Sequence, residues 1–241
     1  MIYILLCAYN EEESIEKLLR SIKEVFKKNE HYYKIIVVDD GSSDQTASLT
    51  EKYSQTMPVE LLKNPVNLGL GASLKNGFEY LVKIISDKDL IITLDSDNTH
   101  DPRLFAKLIE KAGEGFDIVI ASRFASGGQE IGLSLFRKIL SRGAYIYLKL
   151  LFNIPGVKDY TCGYRIYSAD IIKKGFEKYG SKLIENSGFV CMAELLIKLS
   201  NLTSKIAETG LVLRYDQKMT PSKMKLFNTI SGYFKLLKYK I

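Results

Sequence analysis

Leu90-Ile91-Ile92-Thr93-Leu94-Asp95-Ser96-Asp97-Asn98-Thr99-His100-Asp101-Pro102 is the stretch on which the fold turns. Residues 90–94 form a short apolar run with β-branched members, the pattern of a strand buried on both faces. The run ends abruptly in Asp95-Ser96-Asp97. Two carboxylates one residue apart at the end of such a strand are costly unless something compensates them. A hard divalent cation does so through oxygen ligands, and Mg²⁺ bound by one or two carboxylates commonly keeps a substrate phosphate as well. The stretch therefore points to a metal–diphosphate site at the carboxyl end of a sheet.

The same grammar repeats on either side. Residues 2–7 read as a strand, and Ile15, Leu18, Leu19, Ile22, Val25 and Phe26 follow at helical spacing. Residues 35–38 are a second buried strand. It runs into Asp39-Asp40-Gly41-Ser42-Ser43-Asp44, a turn-rich loop with capping residues ahead of a helix over 46–53. A strand is expected over 59–62, a loop over 64–71, helices over 72–85 and 102–112, and a strand over 117–121. Strands alternating with helices argue an α/β fold with a mostly parallel sheet covered on both faces. Ligands of such sheets bind at the carboxyl ends of the strands. Asn10, Asp39, Asp40, Asp95, Asp97 and Arg123 each stand just after a strand, so the polar loops converge on one edge.

The alternation fades after Ser126. Residues 131–153 form a basic amphipathic segment, with Leu135, Phe136, Ile139 and Leu140 beside Arg137, Lys138 and Arg142. A turn-like segment, 159–165, precedes a helix over 190–199 and a strand-like stretch over 208–215. The tail, 222–241, sets Phe227, Ile230, Phe234, Leu237 and Ile241 on one helical stripe and carries five lysines and no acid.

At 241 residues and 46% hydrophobic content, the chain can bury one large domain, or one domain with an appendage. Its net charge of +6 is unevenly spread: residues 1–130 hold 15 Lys and Arg against 21 Asp and Glu, residues 131–241 hold 19 against 7. An acidic half and a basic half suggest a metal site beside an anionic partner. Cys7, Cys162 and Cys191 are far apart, odd in number and without metal-ligand spacing, the pattern of reduced core thiols. The first residues are apolar but lack a basic leader region, which suits a first strand better than a signal peptide. No run of about 20 apolar residues predicts a membrane-spanning helix.

The motifs together resemble a known family. They are Tyr9-Asn10-Glu11-Glu12, Asp39-Asp40-Gly41-Ser42-Ser43-Asp44-Gln45-Thr46, Asn67-x-Gly69-x-Gly71-Ala72, Asp95-Ser96-Asp97 and Ser122-Arg123-Phe124-x-x-Gly127-Gly128. In this order the chain resembles the family 2 inverting glycosyltransferases, within them the polyprenyl-phosphate branch of the dolichyl-phosphate mannosyltransferases. Arg137-x-x-x-Ser141 and Asp159-x-Thr161-Cys162-Gly163-Tyr164-Arg165 extend the match over nearly the whole chain.

The resemblance implies a GT-A, Rossmann-like domain over 1–221, with a nucleotide-sugar and metal half (1–130), an acceptor half (131–221) and a basic amphipathic helix over 222–241. By it, Tyr9, Asn10, Glu11, Asp39 and Asp40 cradle the nucleoside, and Asp95 and Asp97 bracket Mg²⁺ or Mn²⁺ on the diphosphate. Arg123, Arg137 and Ser141 hold a lipid phosphate, Arg165 belongs to the same motif set, and Arg214 and Lys223 approach the donor diphosphate late in the cycle. The implied partners are a nucleotide-diphosphate sugar (GDP-mannose or UDP-glucose), a polyprenyl phosphate and a membrane surface, with room for a separate membrane subunit and no nucleic acid. The implied location is peripheral, on the cytoplasmic face of the membrane.

Several positions depart from the family pattern. Ala8 stands where proline is common, Thr99 where a glutamine usually assists the metal, and Tyr164 where phenylalanine is common. With no tryptophan in the chain, the Gln-x-x-Arg-Trp motif of processive polysaccharide synthases is impossible. Asn67-x-Gly69-x-Gly71 is better read as a tight turn into a helix than as a dinucleotide loop. His100, close after the carboxylates, suits a supporting role more than a ligand's.

The acceptor can be argued from chemistry. A hydroxyl acceptor needs a general base, for which Glu185 or Glu194 is the candidate. A phosphate monoester has a second pKa near about 6, so it is already mostly dianionic and needs cationic positioning instead. The competing readings are a family 2 transferase using a glycan hydroxyl, a non-catalytic nucleotide-sugar binder, and a nucleotidyltransferase. The last lacks its glycine- and lysine-rich N-terminal loop, since Ala8-Tyr9-Asn10-Glu11 stands there.

Overall fold

The computed structural model describes residues 1–27, 31–218 and 226–240. The first half follows the alternation read from the sequence: β1 (Ile2–Ala8), α1 (Glu12–Lys27), β2 (Tyr33–Asp39), α2 (Thr46–Ser54), β3 (Val59–Lys63), α3 (Leu70–Val82), β4 (Leu90–Asp95), a single turn over Pro102–Leu104, α4 (Phe105–Gly113) and β5 (Ile118–Ser122). There follow β6 (Gln129–Ile131), α5 (Leu135–Phe152), β7 (Arg165–Ser168), α6 (Ala169–Tyr179), α7 (Cys191–Ser200), β8 (Ile206–Gly210), β9 (Val212–Arg214) and α8 (Leu226–Lys235).

Seven strands form the main sheet in the order β3-β2-β1-β4-β7-β5-β8. The pairs β1–β2, β1–β4, β2–β3 and β5–β8 are parallel, whereas β7 runs antiparallel to both β4 and β5. Ile4, Leu5, Leu6, Ile35–Val38, Ile91, Ile92 and Ile118–Ala121 are sealed from solvent, as two-sided coverage by helices requires. β6 and β9 make a separate two-stranded parallel ribbon. The strand-like stretch 208–215 is thus two strands of different sheets, parted at Leu211, whose N–H bonds Ser122 O.

Three elements, β6, β7 and α6, have no counterpart in the sequence reading. Strand β7 is only four residues long and opens with an arginine; α6 follows it at once, capped by Ser168, whose Oγ accepts from Ile171 N.

Helix α7 is apolar on every side and buries Glu194 and Lys198, one turn apart, at 0% and 4% side-chain exposure. Glu194 accepts from Lys198 Nζ at 2.6 Å, from the N–H groups of Glu185 and Asn186 and from Tyr239 Oη. Burial raises a carboxyl pKa; here Lys198 and the Asn186 amides outweigh burial and hold Glu194 below the usual carboxylate range. A group depressed in the folded state contributes stability above its unfolded pKa, near about 4.3, and loses it as pH falls through the folded value. Removing one member of a buried pair strands the other charge. We expect Glu194→Ala to lower unfolding stability by about 3–5 kcal/mol at pH 7 in urea titration. We also expect the gap from wild type to narrow as the pH falls below about 4.

Candidate active site

The carboxyl ends of β1, β2 and β4 lie side by side, because Cys7 pairs with Val38 and with Asp95, and Ala8 with Asp39. The loop after β1 is tied to the loop after β2: Asn10 N donates to Ser42 Oγ, Ser43 N to Asn10 Oδ1, and Glu11 N to Thr46 Oγ1. Asn10 has φ +51° and turns the chain into α1. The loop that carries Tyr9, Asn10 and Glu11 is therefore brought to the end of β2, beside Asp39. Asp39 is buried, and its Oδ1 has no hydrogen-bond partner among the described residues. A ribose hydroxyl or base N–H fits such an atom, since buried acceptors are normally satisfied.

Asp40 differs from its neighbour. Its Oδ1 accepts from Asn64 Nδ2 at 2.8 Å and Leu68 N at 2.9 Å, and its Oδ2 from Gly69 N at 2.9 Å. Both oxygens are spent on the 64–69 loop, so Asp40 shapes the cradle without facing into it. That loop delivers Gly69 and Gly71 against the 186–187 backbone; Gly71 N bonds Ser187 O at 2.7 Å, and a Cβ on Gly71 would collide with Asn186 O. The glycines thus serve close backbone approach at the start of α3.

Asp95 and Asp97 flank a sharp turn completed by Asn98 at φ +62°. Asp97 Oδ1 accepts from Thr99 Oγ1 at 2.6 Å and Thr99 N at 3.1 Å, and Oδ2 is paired with Lys218. Burial pushes the Asp97 carboxyl up, and Lys218 and Thr99 pull it back below the ordinary value. Asp95 goes the other way: burial raises it, partly offset by His100. His100 is buried; its Nδ1 accepts from Asp95 N at 3.1 Å and its ring lies 5.1 Å from that of Tyr164. Thr99 therefore orients the Asp97 carboxylate, and His100 braces the backbone at Asp95. Among the described residues no group of three His, Cys, Asp or Glu side chains gathers as a metal cage. Two oriented carboxylates, one at the end of β4 and one in the turn after it, fit a divalent cation that takes its remaining ligands from a diphosphate.

The predicted acceptor residues fall into three groups. Arg137 and Ser141 stand one turn apart on α5, whose N-terminus is capped by Ser134. Arg137 Nη1 donates to Tyr215 Oη, and its guanidinium carbon sits 5.3 Å from the centre of that ring. Ser141 Oγ is buried with no hydrogen-bond partner among the described residues.

Arg123 is engaged rather than free. Its Nε and Nη2 clamp Asp159 at 2.7 Å each, and Nη2 also reaches Thr161 Oγ1 at 2.7 Å. Burial works against the Arg123 charge, Asp159 more than restores it, and the Asp159 carboxyl is held below its usual range in return. Arg123 thus fastens the 159–161 loop, leaving Nη1, which lies 3.6 Å from Glu130.

Arg165 turns into the interior, and the Arg214 side chain pairs locally while its backbone stays joined to the turn after β4. Arg165 is fully buried, and its Nη1 and Nη2 donate to the carbonyls of Met192 and Tyr160 at 2.8 Å each. It welds β7 to α7 because no solvent reaches it there. Arg214 pairs with Asp216 at 2.8 Å on an exposed surface, and its backbone N–H bonds Thr99 O. Lys223 lies outside the described residues. Sequence reasoning missed Lys218 and Tyr215, which reach the site from the turn after β9; nothing in their spacing signals it.

A mostly parallel sheet with a nucleoside corner and a strand-end carboxylate pair defines a GT-A nucleotide-sugar transferase fold. Residues 3–176 match the family model described as Glycosyl transferase family 2, and the chain belongs to that family. It is 28% identical over 242 residues to the dolichol-phosphate mannosyltransferase of Pyrococcus furiosus, covering 98% of this chain and 64% of that protein. It is 25% identical over 240 residues to the polyprenol monophosphomannose synthase of Mycolicibacterium smegmatis, covering 99% and 86%. Among solved structures, it superposes with a TM-score of 0.72 and 21% identity on glucosyl-3-phosphoglycerate synthase from Mycobacterium tuberculosis in complex with Mn²⁺, UDP and glucosyl-3-phosphoglycerate. That match covers 100% of this chain and 80% of the synthase, and it establishes the fold.

Thr99→Val removes the hydroxyl bond to Asp97 while nearly preserving shape. A hydrogen bond to a charged group is worth about 1.5–3 kcal/mol. We expect nucleoside diphosphate binding in the presence of Mn²⁺ to weaken roughly tenfold or more by isothermal titration, with the melting temperature little changed.

Proposed function

We propose that the chain transfers a hexose from a nucleotide-diphosphate sugar to a polyprenyl phosphate, with inversion at the anomeric carbon. The observation that carries this reading is the state of the two candidate bases. Glu194 is enclosed in its ion pair with Lys198, and Glu185 is bound by Tyr239, Lys198 and Lys238, with its carboxyl held down at about 2. Neither is placed to take a proton from a hydroxyl, whereas an acceptor phosphate needs no base. The likeness to the dolichol-phosphate mannosyltransferase of Pyrococcus and the polyprenol monophosphomannose synthase of Mycolicibacterium supports the same reaction class.

In this reading a phosphate oxygen of the lipid forms the new bond to the anomeric carbon as the bond to the diphosphate breaks, and the nucleoside diphosphate departs. Arg137 and Ser141 position the incoming phosphate, one as a planar fork and one as a hydroxyl donor. Asp95 and Asp97 would hold Mg²⁺ or Mn²⁺, which supplies neutralisation of the charge developing on the leaving group. Tyr9, Asn10, Glu11 and Asp39 hold the nucleoside. The donor is GDP-mannose or UDP-glucose.

A surface next to α5 suits a lipid acceptor. Leu135, Phe136, Ile139, Ile146 and Leu150 of α5 are exposed, Leu150 by 78%. Helix α8 and the single turn after it, Leu236–Tyr239, direct Gly232 and Leu236 inward and leave Ile230, Phe234 and Leu237 exposed, while Phe234 meets Tyr147 of α5 at 5.3 Å. Exposed apolar groups in such number mark a contact surface, and Lys138, Arg142, Lys149, Lys235 and Lys238 accompany them. No helix among the described residues is long and apolar enough to cross a membrane. We therefore place the protein peripherally on the cytoplasmic face of the bilayer, where each basic residue near an anionic leaflet contributes about 1 kcal/mol.

Labelled GDP-mannose and UDP-glucose, each offered with polyprenyl phosphate, with 3-phosphoglycerate and with free glycans, should leave label only in the lipid phase. Label in a water-soluble product alone overturns the reading. Arg137→Ala should raise the apparent KM for polyprenyl phosphate roughly tenfold to a hundredfold and leave that for the nucleotide sugar nearly unchanged. A loss on the donor side would refute the acceptor assignment. Separately, the wild type should co-sediment with anionic vesicles at low salt and release at high salt, and the triple variant Leu135→Ser, Ile139→Ser, Leu150→Ser should stay in the supernatant.

A further inference from the structure

Lys218 ends the turn that follows β9, and it reaches Asp97 from the far side of the cleft. Thr99 already fills Asp97 Oδ1 with two hydrogen bonds, so Oδ2 is the oxygen left for a cation, and Lys218 Nζ takes it. The two side chains are 12% and 10% exposed. Asp95 and Glu11 also act on the ammonium, whose nitrogen lies 5.8 Å from the centre of the Tyr215 ring. Burial disfavours the charged lysine, and Asp97, followed by Asp95 and Glu11, more than reverses that. An ammonium among these carboxylates stands where the strand-end pair would hold a divalent ion.

We propose that Lys218 is a built-in surrogate for the divalent cation in the free enzyme, so that Lys218 and the metal exclude one another at Asp97 Oδ2. The proposal rests on the reading of Asp95 and Asp97 as metal ligands. An ammonium and a divalent ion on the same carboxylate oxygen repel one another strongly at low local dielectric unless further anions arrive. A bare metal ion brings none. A nucleoside diphosphate brings the charge that compensates both the ion and the released ammonium, so Lys218 gives up Asp97 when ion and diphosphate arrive together. The buried Asp97 is then never left without a cation, which is the state that costs most. A metal-free enzyme stays folded at its catalytic corner, and ion binding is made conditional on the donor.

The test uses the full chain, with free Mn²⁺ followed by its paramagnetic resonance signal, first alone and then with GDP or UDP. Lys218→Met should bind Mn²⁺ alone roughly tenfold to a hundredfold more tightly than wild type, and the difference should shrink when a nucleoside diphosphate is present. In chelator, Lys218→Met should melt below wild type and recover on adding Mn²⁺ by a larger increment than wild type gains. Lys218→Gln, a milder neutral substitution, serves the same comparison if the methionine variant does not fold. Equal Mn²⁺ affinity of wild type and neutral variant without nucleotide overturns the proposal. Absence of Mn²⁺ binding to either protein, with and without both diphosphates, removes the metal site itself and this proposal with it.

Discussion

A carboxylate withdrawn from water at the end of a strand must find its counter-charge inside the chain, and this constraint organises the whole functional edge. Asp39, Asp40, Asp97 and Asp159 are each buried there, and each meets the demand differently. Asp40 spends both oxygens on an amide side chain and two backbone N–H groups, and so holds a loop. Asp159 is matched by the fork of Arg123 and ties the loop before β7 to the end of β5. Asp97 is matched by a threonine and a lysine. Asp39 keeps one oxygen open. Saturated carboxylates make the frame; those left open, or held by a replaceable partner, mark where a ligand belongs.

Much of this was legible in the sequence because it is local. The strand at 90–94 with its terminal Asp95 and Asp97 is a property of thirteen consecutive residues, and the alternation that places β1, β2 and β4 side by side needs only hydrophobic runs of the right length. What was not legible depends on partners far away. Asp39 and Asp40 look equivalent as neighbours, yet Asp39 ends β2 with Oδ1 unpartnered among the described residues, while Asp40, just past the strand, grips the loop from 64 to 69. Arg165 reads as a functional cation until Met192 and Tyr160 supply carbonyls to it in the interior. Lys218 lies 121 residues from Asp97, and no periodicity connects them.

The basic second half shows the same division. The amphipathic pattern of 131–153 materialises as α5 over Leu135–Phe152, with its apolar residues largely outside and Leu148 its one buried member. The tail behaves alike: Ile230, Phe234 and Leu237 face out, while Gly232 closes on Val190 and Leu236 is sealed. A hydrophobic stripe identifies a face; which surface that face meets is decided by the three-dimensional neighbours.

The reversed strand β7 carries a mechanical meaning. In the main sheet, the strands β3, β2, β1 and β4 and the strands β5 and β8 touch only through it, by four residue pairs on one flank and three on the other. Torsion between the two parts of the sheet therefore concentrates on one short line of hydrogen bonds. Arg165 begins that line, riveted to α7, and the Asp159–Arg123 clamp lies just ahead of it. The sheet is two plates with a stiffened seam, and any flexing of one plate against the other must pivot there.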